Sequence, residues 1–452
     1  MTEVAQPKFG QALALVIVLI GIFSGGIIGL GVGAHVPLLF SLVVVTFFAK
    51  FRGASWATIQ AQMLEGVKTG LAPLFLFLLI GMLIGLWMAT GVIPTMLWAG
   101  FKLLGNTAVF LPTTVIITAI VGSMIGSAFT TIATVGVALF GVGTAMGFSP
   151  AIVAGAILSG AIFGDKSSPL SDSTNLASSV AETDLFAHIK NLMWTTLPAL
   201  ILSIIIFLVI GMTHDGASVA NNLKLAKLLD PTWWTIVPLV MLFVMAWLRI
   251  PAIPTLLMNI IVSTVAFFFH GNATEFSNVL MNGFKTDSSN VILQSLLNRG
   301  GMMAMMGTVI IIMLALALGG LLTEQKILTA VMAPFAKRIK TGSGVITGTV
   351  LSGIFANFMI GEQYLATILP GQLWKESFDR VKLDRLALGR SLEDSGTVVN
   401  YLIPWGVAGG FAAQTLGVPV IEFAPFVFFA VLSPVFSLLS AWTGIGVKRV
   451  SD

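Results

Sequence analysis

The sequence predicts an all-α polytopic membrane protein of about ten transmembrane helices. These are expected to form two inverted-topology repeats, each with a re-entrant hairpin and an interrupted helix. Three observations predict this. The 452 residues are 56% hydrophobic and only 9% charged, with a mean hydropathy of +0.99, whereas soluble domains carry about 25% charged residues. Apolar stretches of about 20 residues, enough to cross a bilayer, recur along the chain. Polar, helix-breaking motifs interrupt two of these stretches, one in each half.

Charged clusters delimit the elements. After MTEVAQPKFGQ, spans are expected at 11–33, 36–49 and 71–98. The first is read as an anchor because spans continue to residue 446. Residues 107–148 are read as a hairpin, 150–181 as an interrupted helix and 191–212 as a span. In the second half, spans are expected at 233–248, 252–269, 301–322 and 422–446, with a hairpin at 341–374 and an interrupted helix at 391–416. The 34 residues of 341–374 are short for two crossings of about 20 each. Basic residues flank that segment on both sides: Lys337, Arg338 and Lys340 before it, Lys375, Arg380 and Lys382 after it. Gly353, Gly361 and Gly371 offer places to break.

With the N-terminus inside, 17 of the 23 Lys and Arg residues fall on the inner side and 5 on the outer, while Lys166 stays within the membrane. That bias predicts a multi-pass protein of the bacterial cell membrane with both termini cytoplasmic. The net charge of +4 then reflects basic loops and implies no nucleic-acid partner. Zero cysteines exclude disulfides and thiolate metal sites.

Short motifs recur in order. MLEGVKTG (63–70) returns as LMNGFKTD (280–287), GSMIGSAFTTIATVG (122–136) faces SGIFANFMIGEQYLA (352–366), and SDSTNL (171–176) faces EDSGTV (393–398). Repeats are therefore expected over 1–215 and 232–452. Five spans plus a hairpin is an odd number of crossings, so the second repeat is expected to be inverted, an architecture of secondary transporters.

The chemistry gathers at the breaks. FGDKSSPLSDSTNLASS (163–179) closes a run, 103–164, that has no Lys, Arg, Asp, Glu or His. Pro169 removes a backbone donor, and the surrounding hydroxyls and amides favour turns. Ionisable groups inside a span point to function. Asp172, with Ser171, Thr174 and Asn175, is the expected first half of an ion site, with sodium held at Asp172, Thr174 and Asn175. Asp165 is a further candidate, and Lys166 beside it is expected to be structural, the two neutralising each other or bonding elsewhere. An ordinary loop at the membrane edge is the alternative for that pair. In SLEDSGTVVNYLIPWG, Asp394 with Ser395 and Thr397 is the expected second half, aligned with Asp172, and Glu393 is either part of it or an interfacial charge. The hairpins offer Thr130, Thr131, Asn357, Glu362 and Gln363, with a salt bridge to a basic loop as the alternative for Glu362. His188 and His214 are expected to be solvated near loop ends, and Glu65 and Lys68 to form a surface pair.

SGAIFGDKSSPLSDSTNLASSVAETDLFAHIKNLMWTTLPA (159–199) closely resembles the signature region of the NhaC-type sodium/proton antiporter family, part of the ion transporter superfamily. The resemblance extends through GSMIGSAFTTIATVG, SGIFANFMIGEQYLATILPG and LEDSGTVVNYLIPWG, and so covers nearly the whole chain. NYLIPWGVAGGF departs from the more polar stretch of many relatives. The resemblance implies sodium/proton exchange at the cell membrane, and in some members exchange of malate and protons for sodium and lactate. It also implies a substrate site between hairpin tips and interrupted helices.

The expected function is thus a secondary active antiporter exchanging sodium for protons, not an enzyme and without a cofactor. The alternative is a malate-proton/sodium-lactate antiporter, which would want a cation facing the anion. Lys166 is the intramembrane cation available to it. An intramembrane aspartyl protease is a remote alternative, since paired aspartates do acid–base work, and the repeats and hydroxyl clusters argue against it. The expected partners are sodium, protons and the lipid bilayer, with malate and lactate under the alternative and a homodimer as the assembly to test.

Overall fold

A computed structural model of the chain describes residues 6–103, 107–213, 229, 231–248, 250–269, 271–286, 288, 294 and 297–450. Among these residues the protein is built from helices, and the extended pairing present is an isolated bridge between Leu383 and Arg449. The first half runs α1 (Phe9–Phe23), α2 (His35–Phe51), α3 (Trp56–Thr69), α4 (Leu71–Ala89), α5 (Val92–Leu103), α6 (Thr107–Ile125), α7 (Ala128–Thr131), α8 (Val137–Ala145), α9 (Pro150–Ser167), α10 (Asp172–Ala181) and α11 (Leu185–Met212). The second runs α12 (Ile236–Trp247), α13 (Ala252–Phe267), α14 (Ala273–Asn282), α15 (Met302–Glu324), α16 (Ile327–Arg338), α17 (Gly342–Ile360), α18 (Gln363–Arg380), α19 (Arg385–Leu392), α20 (Val407–Leu416), α21 (Val420–Phe423) and α22 (Phe428–Thr443).

The side chains are sorted for lipid. On α11 the buried positions Thr195, Ala199, Ser203 and Phe207 recur every four residues, while Ile201, Ile205 and Val209 point outward. Helix α13 repeats this, burying Thr255, Asn259 and Ser263 and exposing Met258, Ile261 and Val265. Small and polar residues inside with large apolar residues outside is the pattern of membrane helices. Among the described residues, seven helices are long and apolar enough to cross a membrane, or eight if Val407–Leu416 and Val420–Phe426, bent by 93°, count as one. Several other expected spans are apolar but shorter, such as His35–Phe51 and Ala252–Phe267. The expected span 71–98 divides into α4 and α5 at Gly91, whose φ is +82°. No charge marks that break, so hydropathy alone passes over it.

Both hairpins turn at a glycine with φ +71°, Gly126 and Gly361. In the first, a Cβ on Gly143 would lie 2.7 Å from the ring of Phe110, bringing α8 back along α6. In the second, Trp374 donates its indole N–H to Ser352 across α17 and α18 (2.9 Å). Helix α18 runs beyond the expected end at residue 374 to Arg380. Each tip docks on a broken helix. A Cβ on Gly126 would meet Leu170 at 2.6 Å, and Gly361 O accepts from Val407 N at 2.8 Å. Phe129, just past the first tip, packs on Phe411 (4.8 Å) and Tyr401 (6.1 Å), and Phe411 stacks on Phe77 of α4 (5.0 Å).

The same interval, 235 residues, separates Thr107 from Gly342, Ala128 from Gln363, Pro150 from Arg385 and Asp172 from Val407, the first residues of corresponding helices. The halves also exchange contacts. Helix α3 packs on α15 where Gly66 meets Gly320, and α14 packs on α4 where Gly85 meets the carbonyl of Val279. One end of the bundle gathers basic residues and both described chain ends. Phe9 packs on Phe335 (6.3 Å), Arg380 donates to the carbonyls of Ala336 and Ile339, and Leu383 bridges to Arg449.

Candidate ion site

Helix α9 ends at Ser167, a turn at Pro169 and Leu170 follows, closed by Ser171 N donating to Ser168 O (3.2 Å), and Ser171 caps α10 by accepting from Thr174 N (3.4 Å). The polar residues here brace the break. Asn175 donates its amide to the carbonyls of Ser171 (2.7 Å) and Pro169 (3.0 Å), and the Thr174 hydroxyl donates to the carbonyl of Lys166 (3.1 Å). Of the three expected sodium ligands, Asp172 therefore stands apart: it opens α10 with an exposed side chain.

That side chain faces a cavity of about 260 Å³. Asp165 and Ser173 line it from the same broken helix, Ser127 and Thr130 from the first tip, Gln363 and Tyr364 from the second, and Tyr401 from the second break. The Ser171 hydroxyl and the backbone of Ala128 lie beside the Asp165 carboxylate, which brings the broken helix against the first tip. Thr131 is buried, with its hydroxyl on the carbonyl of Ser127 (2.9 Å). Glu362 caps the second tip, its carboxylate accepting from Tyr364 N (2.9 Å) and Leu365 N (2.8 Å). It is buried and makes no salt bridge to a basic loop among the described residues. Ser127 and Glu362 thus hold corresponding places, each the cap after a tip glycine.

A second polar centre lies outside this cavity. The expected pairing of Lys166 with Asp165 does not form. Successive helical residues point about 100° apart, so Asp165 faces the cavity while Lys166 turns toward the second half. Its ammonium pairs with Asp394, and both side chains are buried, 1% and 0% exposed. Thr195 of α11 also donates to that carboxylate (3.2 Å). Asp394 and Asp172 do not hold equivalent places. Asp394 lies in a π-helical turn, Glu393–Thr397, before the second break, whereas Asp172 follows the first. Within the turn, Thr397 donates to Glu393 (2.6 Å) and Ser395 to the carbonyl of Ser391 (2.7 Å), so both hydroxyls serve the helix. Glu393 is fully buried.

Asn357 reaches from α17 to the carbonyls of Ser395 (2.8 Å) and Gly396 (2.6 Å), and Asn400 joins Asn357 to the start of α20 at Ala408 N. Asn400, Tyr364, Tyr401 and Thr195 were missed in the sequence. A lone amide before the break in VVNYLIP was the signal for Asn400. His188, expected to be solvated, is buried with neither ring nitrogen hydrogen-bonded among the described residues. His214 lies outside the described residues. Glu65 and Lys68 form an exposed pair at 2.7 Å, as expected.

A model of the Na+/H+ antiporter family matches residues 5–174 and 160–445. The chain is 37% identical over 447 residues to Na(+)/H(+) antiporter NhaC of Alkalihalophilus pseudofirmus, covering 97% of this chain and 96% of that protein. It is 38% identical over 442 residues to Na(+)/H(+) antiporter NhaC of Bacillus subtilis, covering 95% and 97%. A malate-2H(+)/Na(+)-lactate antiporter of Bacillus subtilis is 31% identical over 441 residues, covering 95% and 94%.

Proposed function

The chain belongs to the Na+/H+ antiporter family, and from that premise we propose that it exchanges sodium for protons at the cavity where Asp165 and Asp172 face both hairpin tips. One observation carries this reading: two carboxylates from a broken helix converge with hydroxyls of the opposing tip in a single space. Broken-helix backbone and side-chain oxygens can replace the hydration shell of sodium. A carboxylate there binds the cation when ionised and releases it when protonated, so a shared site makes exchange obligatory. Asp172 is the primary coupling group, and Asp165, Ser127 and Thr130 complete the oxygen set. Ser171, Thr174 and Asn175 hold the break that presents them. Asn357, Ser395 and Thr397 support the second break, and Glu362 and Thr131 shape the tips.

Malate–lactate exchange is less favoured. The cavity presents two acids, and Lys166, the cation that reading needs, is committed to Asp394. The constant interval between corresponding helices and the exchanged packing of α3 and α14 support repeats over 1–215 and 232–452, the second inverted. The charge bias and the basic end shared by both chain ends support cytoplasmic termini in a bacterial cell membrane.

Proteoliposomes carrying an internal pH dye test the proposal with sodium, lithium, potassium, malate and lactate in turn. A dye response to sodium without organic acids is expected. A response that requires malate and lactate would overturn it.

A further inference from the structure

Two adjoining cavities lie where α4, α13 and α14 end and α15 begins. This end of the bundle is remote from both described chain ends, because α15 runs from here toward α16, where Phe9 packs on Phe335. The larger cavity, about 760 Å³, opens between α12, α13 and α14. Val237, Val265 and Phe269 line it and are exposed, so it is continuous with the apolar outer faces of α12 and α13. Trp234 lines it too, beside the exposed Trp233, and tryptophan gathers at the headgroup level of a bilayer. The acid in its wall, Glu275, is engaged as a cap of α14, accepting from Asn272 N (3.4 Å). The smaller cavity, about 380 Å³, shares Phe284 and Lys285 with the larger one but differs in character. Lys285 and Arg299 line it, with no Asp or Glu among its described lining residues. The Arg299 guanidinium lies over the ring of Phe140 (5.0 Å), and its Nη1 donates to the carbonyls of Thr415 (3.4 Å) and Leu416 (3.2 Å) at the end of α20. The remaining nitrogens of that planar fork are left for a further acceptor. Thr415 lines the same space and is 4% exposed, yet its hydroxyl has no hydrogen-bond partner among the described residues. Buried polar atoms are normally paired, and an unpaired hydroxyl beside two cations suits an anion.

We propose that the two cavities together form a binding site for an anionic phospholipid, its phosphate held by Lys285 and Arg299 and an acyl chain in the larger, apolar space. A guanidinium fork and an ammonium are the side chains that hold phosphate, and basic pockets between membrane helices take anionic headgroups. A free phosphate would use the smaller cavity alone, whereas Phe284 and Lys285 join the two into one amphipathic space that opens toward lipid. The phosphate would also link the end of α20, the helix after the second break, to the segment between α14 and α15. None of these residues lines the cavity that holds Asp165 and Asp172, so the lipid site stands independently of the exchange reading.

The full chain in detergent, incubated with equimolar phosphatidylglycerol and phosphatidylcholine, tests this when retained lipid is counted by native mass spectrometry. Phosphatidylglycerol should be retained over phosphatidylcholine by about thirtyfold, the scale of two basic residues facing an anionic lipid. Lys285→Gln, at an exposed position that folding does not need, should lower that preference by about fivefold, the share of one such residue. Lys102→Gln removes another exposed lysine and should leave the preference unchanged. Inorganic phosphate at the concentration of the lipid should not displace phosphatidylglycerol, because it has no acyl chain for the larger cavity. Equal retention of the two lipids, an unchanged preference in Lys285→Gln, an equal loss in Lys102→Gln, or displacement by inorganic phosphate would each overturn the site.

Discussion

Asp172 and Asp165 differ in what holds them. Asp172 opens a helix with its carboxylate in the cavity, and Asp165 lies beside Ser171 and the first tip. Asp172→Asn keeps the shape but fixes the group uncharged. It should insert normally and abolish sodium-dependent proton flux, as read by the internal dye. Asp165→Asn would be mild if that residue balanced Lys166. Because it lines the cavity instead, its loss should be comparable to that of Asp172→Asn, and a near wild-type rate would place the coupling elsewhere. The Lys166–Asp394 pair makes a separate prediction. Removing one partner of a buried ion pair leaves an unmatched charge and costs about 3–5 kcal/mol. Lys166→Met and Asp394→Leu should each lower thermal stability in detergent by that order, and the double variant should recover most of it. Additive losses would show that the pair is not coupled.

At the scale of elements, the hairpin tips position the chemistry. Gly126 has φ +71°, and a Cβ there would stand 2.6 Å from the Cβ of Leu170. Left-handed backbone costs an L-residue about 1–2 kcal/mol, and the contact can be relieved only by lifting the tip off the broken helix. Gly126→Ala should therefore raise the sodium concentration needed for half-maximal exchange by about tenfold, since about 1.4 kcal/mol is a factor of ten. Titrating dye-monitored flux with sodium checks this, and an unchanged half-maximum would separate the tip from the ion site. At the end of α10, Glu182 joins the halves by pairing with Lys375 of α18 and Arg385 of α19, and Arg385 also pairs with Asp379 (2.8 Å). The hydrogen bond from Lys375, with further help from Arg385, holds the Glu182 carboxyl below its usual range, and Arg385 does the same for Asp379. Depressed carboxyl pKa values give stability that is present above the unfolded values, about 4, and lost as pH falls through the folded ones. The cluster's contribution to thermal stability should be constant between about pH 6 and 9 and fall away below about pH 4, and its effect, read by comparison with Glu182→Gln, should shrink in high salt because it is exposed.

Across the whole molecule, the proposed orientation makes a prediction that no single site makes. Both described chain ends lie at the basic end of the bundle, where the charge bias puts the cytoplasm. Because the chain has no cysteine, single cysteines at Gly10 and Ser451 can be labelled without background. An impermeant thiol reagent should reach them only in inside-out vesicles. Labelling of either in intact cells would reject the topology.

Composition and local pattern alone determined that the chain is helical, lives in a membrane and breaks at Pro169 and in SLEDSGTVVNYLIPWG, because hydropathy and turn chemistry act over a few residues. They also offered Gly361 as a break within 341–374, where the chain does turn. Only the tertiary structure decided which polar groups meet. Lys166 and Asp165 are neighbours in sequence, yet the rotation of α9 sends one to Asp394 in the other half and the other into the cavity. Glu362 became a cap and Thr174 and Asn175 became braces, because free backbone groups at a break take the nearest polar side chain. His188 looked like a loop-end residue until the packing of α19 covered it, a Cβ on Gly389 lying 2.7 Å from its Nδ1. A residue's type sets what it can bind, and the angle at which its helix faces its neighbours sets what it does bind.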